Sequence, residues 1–183
     1  MENTFERSLI AAGFGGQGLM VLGQLIAYSA MSEGYNVTWL PSYGPEMRGG
    51  TANCSVIVSE GQIGSPVVPE ADYVVVMNQP SLVKFEPMVK KGGMLFYNSD
   101  LVRPESERED IKIYAIPANS LAKELGSDKV ANIIMLGALV EAGDMAKEES
   151  VLHMLDEKLG ARKPEFIPMN RSAFQKGKEV VIG

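Results

Sequence analysis

The chain has 183 residues, 45% of them hydrophobic and 22% charged, enough for one sizeable soluble core and too few for two ordinary domains. A formal net charge of −6, with no cluster of Lys and Arg, leaves no electrostatic footprint for nucleic acid. One cysteine, Cys54, and one histidine, His153, exclude a disulfide framework, an all-cysteine iron–sulfur cluster held by this chain alone, a histidine metal site and a Ser-His-Asp triad.

The apolar residues 9–12 read as a strand, Gly13-Phe14-Gly15-Gly16-Gln17-Gly18 as a turn, and the apolar segment 19–31 as a helix. Together they make a Rossmann-like first βα unit. Its glycines permit unusual φ, close approach of a ligand or partner, and close packing of helix on strand. The helix start offers unpaired N–H groups and partial positive charge to an anion or a carbonyl. Gly13, Gly15, Gly16, Gln17 and Gly18 are therefore candidate cofactor-binding or interface residues, although the spacing also describes a ligand-free turn.

A dinucleotide site usually carries an acidic residue at the end of the second strand. Here residues 36–40 run into Pro41-Ser42-Tyr43 without one, and Glu33 lies before that strand. No Gly-Lys-Ser/Thr follows the glycines, so a P-loop is excluded too. An NAD(P)-linked Rossmann enzyme and a non-catalytic anion-binding module stay open as alternatives.

Next comes a loop, Tyr43-Gly44-Pro45-Glu46-Met47-Arg48-Gly49-Gly50, whose turn formers present Glu46 and Arg48 to a neighbouring subunit or an anionic coenzyme, or simply to water. Residues 51–59 read as a strand joined to its neighbours without helices, hence antiparallel or at an edge. The continuous apolar run 73–77 marks a central parallel strand. Gln79-Pro80-Ser81 starts a short helix over 80–89, Gly92-Gly93 ends it, and 94–98 is the following strand. An exposed connection, 101–110, leads to a strand over 111–116. Asn119 or Ser120 caps a helix through 125, and Ser127 or Asp128 caps a long apolar helix over 130–142. Residues 148–159 are amphipathic, with Val151, Leu152, Leu155 and Leu159 on one stripe, and 164–183 predict a last helix on the edge of the sheet.

The alternation predicts an α/β fold over residues 1–183: three layers, α/β/α, around a mainly parallel, doubly wound sheet. The segments 19–31 and 130–142 are apolar on nearly all sides, which predicts that a partner covers them. Without it the chain should pair with itself through one of these helices or the 43–50 loop. Cys54, inside a strand, reads as a small buried hydrophobe, and His153 as a surface residue. No apolar stretch reaches about 18 uninterrupted residues and no signal peptide is evident, so a cytoplasmic chain without a membrane span is expected.

The glycine turn and the 43–50 loop together resemble the gamma subunit of 2-oxoacid:ferredoxin oxidoreductases, the pyruvate, 2-oxoglutarate and 2-oxoisovalerate family. The likeness continues through Ala52-Asn53-Cys54-Ser55-Val56, Ile63-Gly64-Ser65-Pro66 and Asn132-Ile133-Ile134-Met135-Leu136-Gly137-Ala138-Leu139, and fades after Gly143. It implies a subunit of a complex that converts a 2-oxo acid, coenzyme A and oxidised ferredoxin to acyl-CoA, carbon dioxide and reduced ferredoxin. Thiamine diphosphate with magnesium and the iron–sulfur clusters would sit on alpha and beta subunits, and on a delta ferredoxin-like one where that is separate. The chain itself would hold no cofactor, act at interfaces, lie near coenzyme A and be inactive alone. The Pro-Glu-Met-Arg-Gly-Gly form of the loop leans towards the 2-oxoglutarate and branched-chain members.

Overall fold

The structure is a computed structural model that describes residues 4–43, 51–105 and 107–183. Strands β1 (Glu6–Phe14), β2 (Asn36–Tyr43), β3 (Thr51–Ser59), β4 (Ala71–Val76), β5 (Val89–Asn98) and β6 (Lys112–Ile116) form one sheet, ordered β2-β3-β1-β4-β5-β6. Four strands, β1, β4, β5 and β6, pair in parallel, whereas β3 lies antiparallel between β1 and β2. The helices are α1 (Leu19–Ser32), α2 (Gln79–Phe85), α3 (Ala118–Glu124), α4 (Ala131–Ala142), α5 (Glu148–Leu155) and α6 (Ile167–Ile182).

The expected α/β/α layering and mainly parallel sheet are what the chain adopts, with an uneven division of the layers. Leu9, Ala11, Val56, Val75 and Phe96 face one core, shared with α1 and α3 to α6. Ile10, Ala12, Val74, Val76 and Leu95 face the other, closed by Leu82 and Phe85 of α2 together with Val68 and Val102. This alternation is the two-residue period of a strand buried on both faces. The 101–110 connection is thus not wholly exposed: Val102 is buried in that second core.

Several sequence expectations need correction. The strand β3 is antiparallel, as read, but it is interior; β2 takes the edge, where Pro41 can pair opposite Cys54 without leaving an inner ladder short of a donor. Gly92 and Gly93 do not end a helix. They lie inside β5, where the pairing with β4 shifts between Ala71 and Tyr73; Gly92 has φ of +81° and an added Cβ on Gly93 would meet backbone carbonyls of Asp72 and Lys90. Helix α3 is preceded by Pro117 with no side-chain cap, because Asn119 Oδ1 accepts from Asn98 Nδ2 and Ser120 bonds Asp100. Ser127 does cap, accepting from the Lys129 N–H ahead of α4.

The largest correction concerns the two apolar helices. Helix α6 does not lie on the sheet edge; it crosses α4 and touches β6 at its side. Gly137 of α4 meets the backbone of Phe174, and Gly177 of α6 meets the carbonyl of Ile134, so the helices press together without intervening side chains. Val151 and Leu155 of α5 join α1 in the same core. The chain therefore covers these helices itself, and the expected partner is not needed for them. On α1 only Tyr28 and Met31 remain as large exposed apolar groups.

Candidate functional site

Strand β1 is the point where the winding of the sheet reverses. The chain leaves it through α1 on one face towards β3 and β2, then returns to β4 on the other side and leaves through α2 on the opposite face. The ends of β1 and β4 thus diverge, and such a switch point opens a crevice at the C-terminal end of the sheet. The predicted glycine turn lies there. Gly16, Gln17 and Gly18 line a cavity of about 410 Å³ with Met77, at the end of β4, and with Asn119, Asp128, Lys129, Ala131 and Asn132.

The five candidate residues divide by what demands them. Gly13 is buried, and a Cβ there would strike Leu19, Met77 and Gln17. Gly16 and Gly18 have φ of +89° and +78°, which L side chains avoid. Gly18 is also pressed by Asn132, whose Nδ2 donates to the Gly18 carbonyl at 3.1 Å. Gln17 is a tie: its Oε1 accepts from the Phe14 N–H at 2.6 Å and its Nε2 donates to the Met77 carbonyl at 3.3 Å, joining the turn to β4. Gly15 is different. It is exposed, its φ is not positive, and an added Cβ would meet nothing within 4 Å. Among the described residues nothing requires a glycine there.

Around the crevice are polar groups without protein partners among the described residues. Asn132 is only 7% exposed, and its Oδ1 has no donor. Asn78, which follows Met77 in sequence but does not line the cavity, uses Oδ1 to cap α2 through the Ser81 N–H, and its buried Nδ2 stays unpaired. Helix α1 begins at Gly18 with no side-chain cap and no acidic residue in its first turn. Asn132 and the start of α1 together offer an acceptor and a helix N-terminus to an incoming group. Asn132 was not picked out as a site residue from sequence. The signal available was a polar residue opening an otherwise apolar segment.

The second predicted patch, Tyr43 to Gly50, is described only at Tyr43; Gly44, Pro45, Glu46, Met47, Arg48, Gly49 and Gly50 lie outside the described residues. Its flanks are informative. Phe14 pairs with Thr51, and Tyr43 pairs with Ala52, which in turn pairs with Gly13. With about 4.8 Å between strands, Thr51 and Tyr43 stand one and two strands from the glycine turn, at the same end of the sheet. Large apolar side chains are bare there: Tyr43 is 71% exposed, and Phe14 and Leu40 about 40%.

The remaining titratable groups fit structural roles. Cys54 is fully buried beside Gly23, its Sγ donates to the Leu19 carbonyl at 3.4 Å, and burial pushes its thiol up to about 11. His153 is exposed and faces Glu157 at 3.4 Å. Glu33 accepts from the Lys147 N–H at 2.7 Å, at the start of α5. At the opposite end of the sheet Arg7 forks onto Asp144 at 2.8 Å, and Tyr73 donates to the same carboxylate at 2.5 Å. Burial, then the Asp144 contact, holds the Tyr73 hydroxyl above the usual phenol range. Among the described residues no three His, Cys, Asp or Glu side chains come together as a metal site.

Residues 8–180 match the family described as pyruvate ferredoxin/flavodoxin oxidoreductase. The ketoisovalerate oxidoreductase subunit VorA of Methanothermobacter marburgensis is 37% identical over 91% of this chain, but the match takes in 34% of that protein. The keto/oxoacid ferredoxin oxidoreductase gamma subunit from Geobacter sulfurreducens superposes with a TM-score of 0.79 at 32% identity, covering 96% of this chain and 98% of that one. A 2-oxoglutarate:ferredoxin oxidoreductase from Magnetococcus marinus, with 2-oxoglutarate, coenzyme A and succinyl-CoA bound, superposes with a TM-score of 0.87 at 27% identity over 96% of this chain and 31% of the other. The chain thus spans about a third of the length of the VorA and Magnetococcus proteins it resembles.

Proposed function

The chain belongs to the pyruvate ferredoxin/flavodoxin oxidoreductase family, and from that premise we propose that it serves as the gamma-type subunit of a cytoplasmic complex that oxidatively decarboxylates a 2-oxo acid. The overall reaction cleaves the bond between the keto carbon and the carboxylate and releases carbon dioxide. The acyl group passes to the thiol of coenzyme A, and two electrons pass to ferredoxin. Residues 1–183 act as one gamma-type domain. The acid is 2-oxoglutarate or a branched-chain 2-oxo acid, the substrates named for the similar proteins.

The chain's donor set does not suit the redox centres. A single buried cysteine cannot hold an iron–sulfur cluster, and no acidic metal ladder for a magnesium diphosphate is present among the described residues. Thiamine diphosphate, magnesium and clusters belong to alpha, beta and any delta partner. Coenzyme A suits this chain better. The uncapped α1 start, the bare approach at Gly15 and the unpaired Asn132 Oδ1 can receive its polar groups. Bound there, coenzyme A would supply the thiol that accepts the acyl group.

The observation that carries this reading is the strand register, which brings the glycine turn and the described residues Tyr43 and Thr51 to one end of the sheet, with Phe14, Leu40 and Tyr43 exposed. A bare apolar rim next to an open crevice suits a surface that meets other subunits. No described helix is long and apolar enough to cross a membrane. The test is co-expression with and without alpha and beta partners, followed by coenzyme A-dependent reduction of ferredoxin with each acid. Activity only when this chain is present supports the proposal. Equal activity without it, or clusters on the isolated chain, overturns it.

A further inference from the structure

Lys129 lines two cavities, the one at the glycine turn and a second of about 290 Å³. This second cavity lies among the 3-10 turn Asp128–Val130, the chain leaving α5 and the start of α6. Four cations line it, Lys129, Lys158, Arg162 and Lys163, and no carboxylate does. That is unexpected in a chain of net charge −6. The side chains of Lys129 and Arg162 find no acidic partner among the described residues, and Lys163 lies over the Phe166 ring at 5.6 Å. Lys158 divides itself between the Tyr28 ring and Glu157. Gathering like charges costs self-repulsion, which a bound polyanion would relieve.

The cavity is also built for something other than a bare ion. Leu159, Phe166 and Met169 give it apolar walls. Asn170 is 7% exposed, lines the cavity and makes no side-chain hydrogen bond among the described residues. Its amide therefore keeps both a donor and an acceptor edge free for a group in the cavity. An amide reads the donor and acceptor edge of a purine, Phe and Arg stack on its faces, and Lys and Arg neutralise phosphate. We infer that this cavity binds the phosphate-bearing end of an adenine nucleotide, with Arg162, Lys129 and Lys163 on the phosphates and Asn170 on the base. That chemistry is shared by free adenine nucleotides and by the nucleotide end of coenzyme A; the latter source rests on the proposal above.

Calorimetric titration of the full chain with adenosine 3′,5′-bisphosphate tests the site. Binding tighter than about 1 mM is expected, weakening by about tenfold or more in Arg162→Glu and weakening with added salt. Adenosine alone and inorganic phosphate should each bind at least about tenfold less well. Asn170→Leu, which keeps volume and a buried side chain, should also lose base recognition and serves as the second variant should the charge reversal disturb the fold. Coenzyme A competing with the bisphosphate, with the same Arg162 dependence, assigns the site to the coenzyme; AMP binding as tightly while coenzyme A does not compete assigns it to free nucleotide. No bisphosphate binding, binding indifferent to both variants, or inorganic phosphate binding as well as the bisphosphate overturns the inference. These readouts use the isolated chain and fail separately from carrier reduction by the assembled complex.

Discussion

The side-chain amide of Asn132 donates to the carbonyl of Gly18 at 3.1 Å across 114 residues of sequence, so the start of α4 holds the start of α1. The same amide leaves Oδ1 unpaired at the cavity. Asn132→Ala should therefore cost about 1–2 kcal/mol of stability by urea unfolding and also weaken coenzyme A dependence in the assembled complex. A variant that loses stability but keeps the coenzyme response would make Asn132 a tether only.

The glycines of the turn should separate by substitution. Gly18→Ala forces a side chain into a positive-φ position against Asn132 and should destabilise by about 2 kcal/mol or more. Gly15→Val meets open space and should leave the melting temperature of the isolated chain within a few degrees of the parent. Its expected effect is on assembly with partner subunits or on the KM for coenzyme A. A Gly15→Val complex that assembles and turns over like the parent would reduce the turn to architecture.

The crossing of α4 and α6 has no room for a methyl group. Gly137→Ala and Gly177→Ala each drive a Cβ into a backbone carbonyl of the other helix, Phe174 and Ile134 respectively. Each should cost about 3 kcal/mol or more, because backbone cannot yield as a side chain does. Hydrogen exchange should show α6 losing protection before the sheet. Unchanged protection in both variants would contradict the crossing described.

The way the sequence encodes this fold explains what it shows and what it hides. The unit β1–turn–α1 is legible because its signals are local: an apolar run, glycines and a second apolar run. Strand order is not local. Residues 51–59 show that a strand lacks flanking helices, but nothing in them distinguishes an edge from insertion between β1 and β2. The cover on α4 was hidden for a similar reason, although Gly137 and Gly177, each inside a helix, are the residues that allow close approach. Gly92-Gly93 misled because a glycine pair marks a helix end and a bulge alike. At the site, the turn was legible, whereas Asn132 reaches Gly18 only through the fold.

Cys54 gives a pH test. Burial raises its thiol from 9.0 to about 11, so the folded state resists ionisation that the unfolded chain undergoes freely. The favourable difference is intact below about pH 9 and is lost as pH rises to about 11, at up to roughly 3 kcal/mol for a shift of two units. Urea unfolding across that range should show the decline, and Cys54→Ala should reduce it, leaving the share that Tyr73 adds above about pH 10. A parent and variant with parallel alkaline profiles would place the titration elsewhere. The native thiol should also react slowly with alkylating reagents at pH 7 to 8.

The glycine-to-backbone crossing has a consequence for how the chain is made. Ala142 ends α4 and Ile182 ends α6, so 40 residues must follow before the cover on α4 is complete. At about 5–20 residues per second, the ribosome carries a nascent chain with the apolar back of α4 unsheltered for roughly 2–8 s. During that interval Ile134, Gly137 and Ala138 present a flat apolar strip, with no side chain on Gly137 to obstruct a visitor. Chaperones and other nascent chains compete for it until α6 arrives. Chains truncated before residue 167 and released from the ribosome should therefore crosslink to a chaperone through α4, and released chains carrying all of α6 should not.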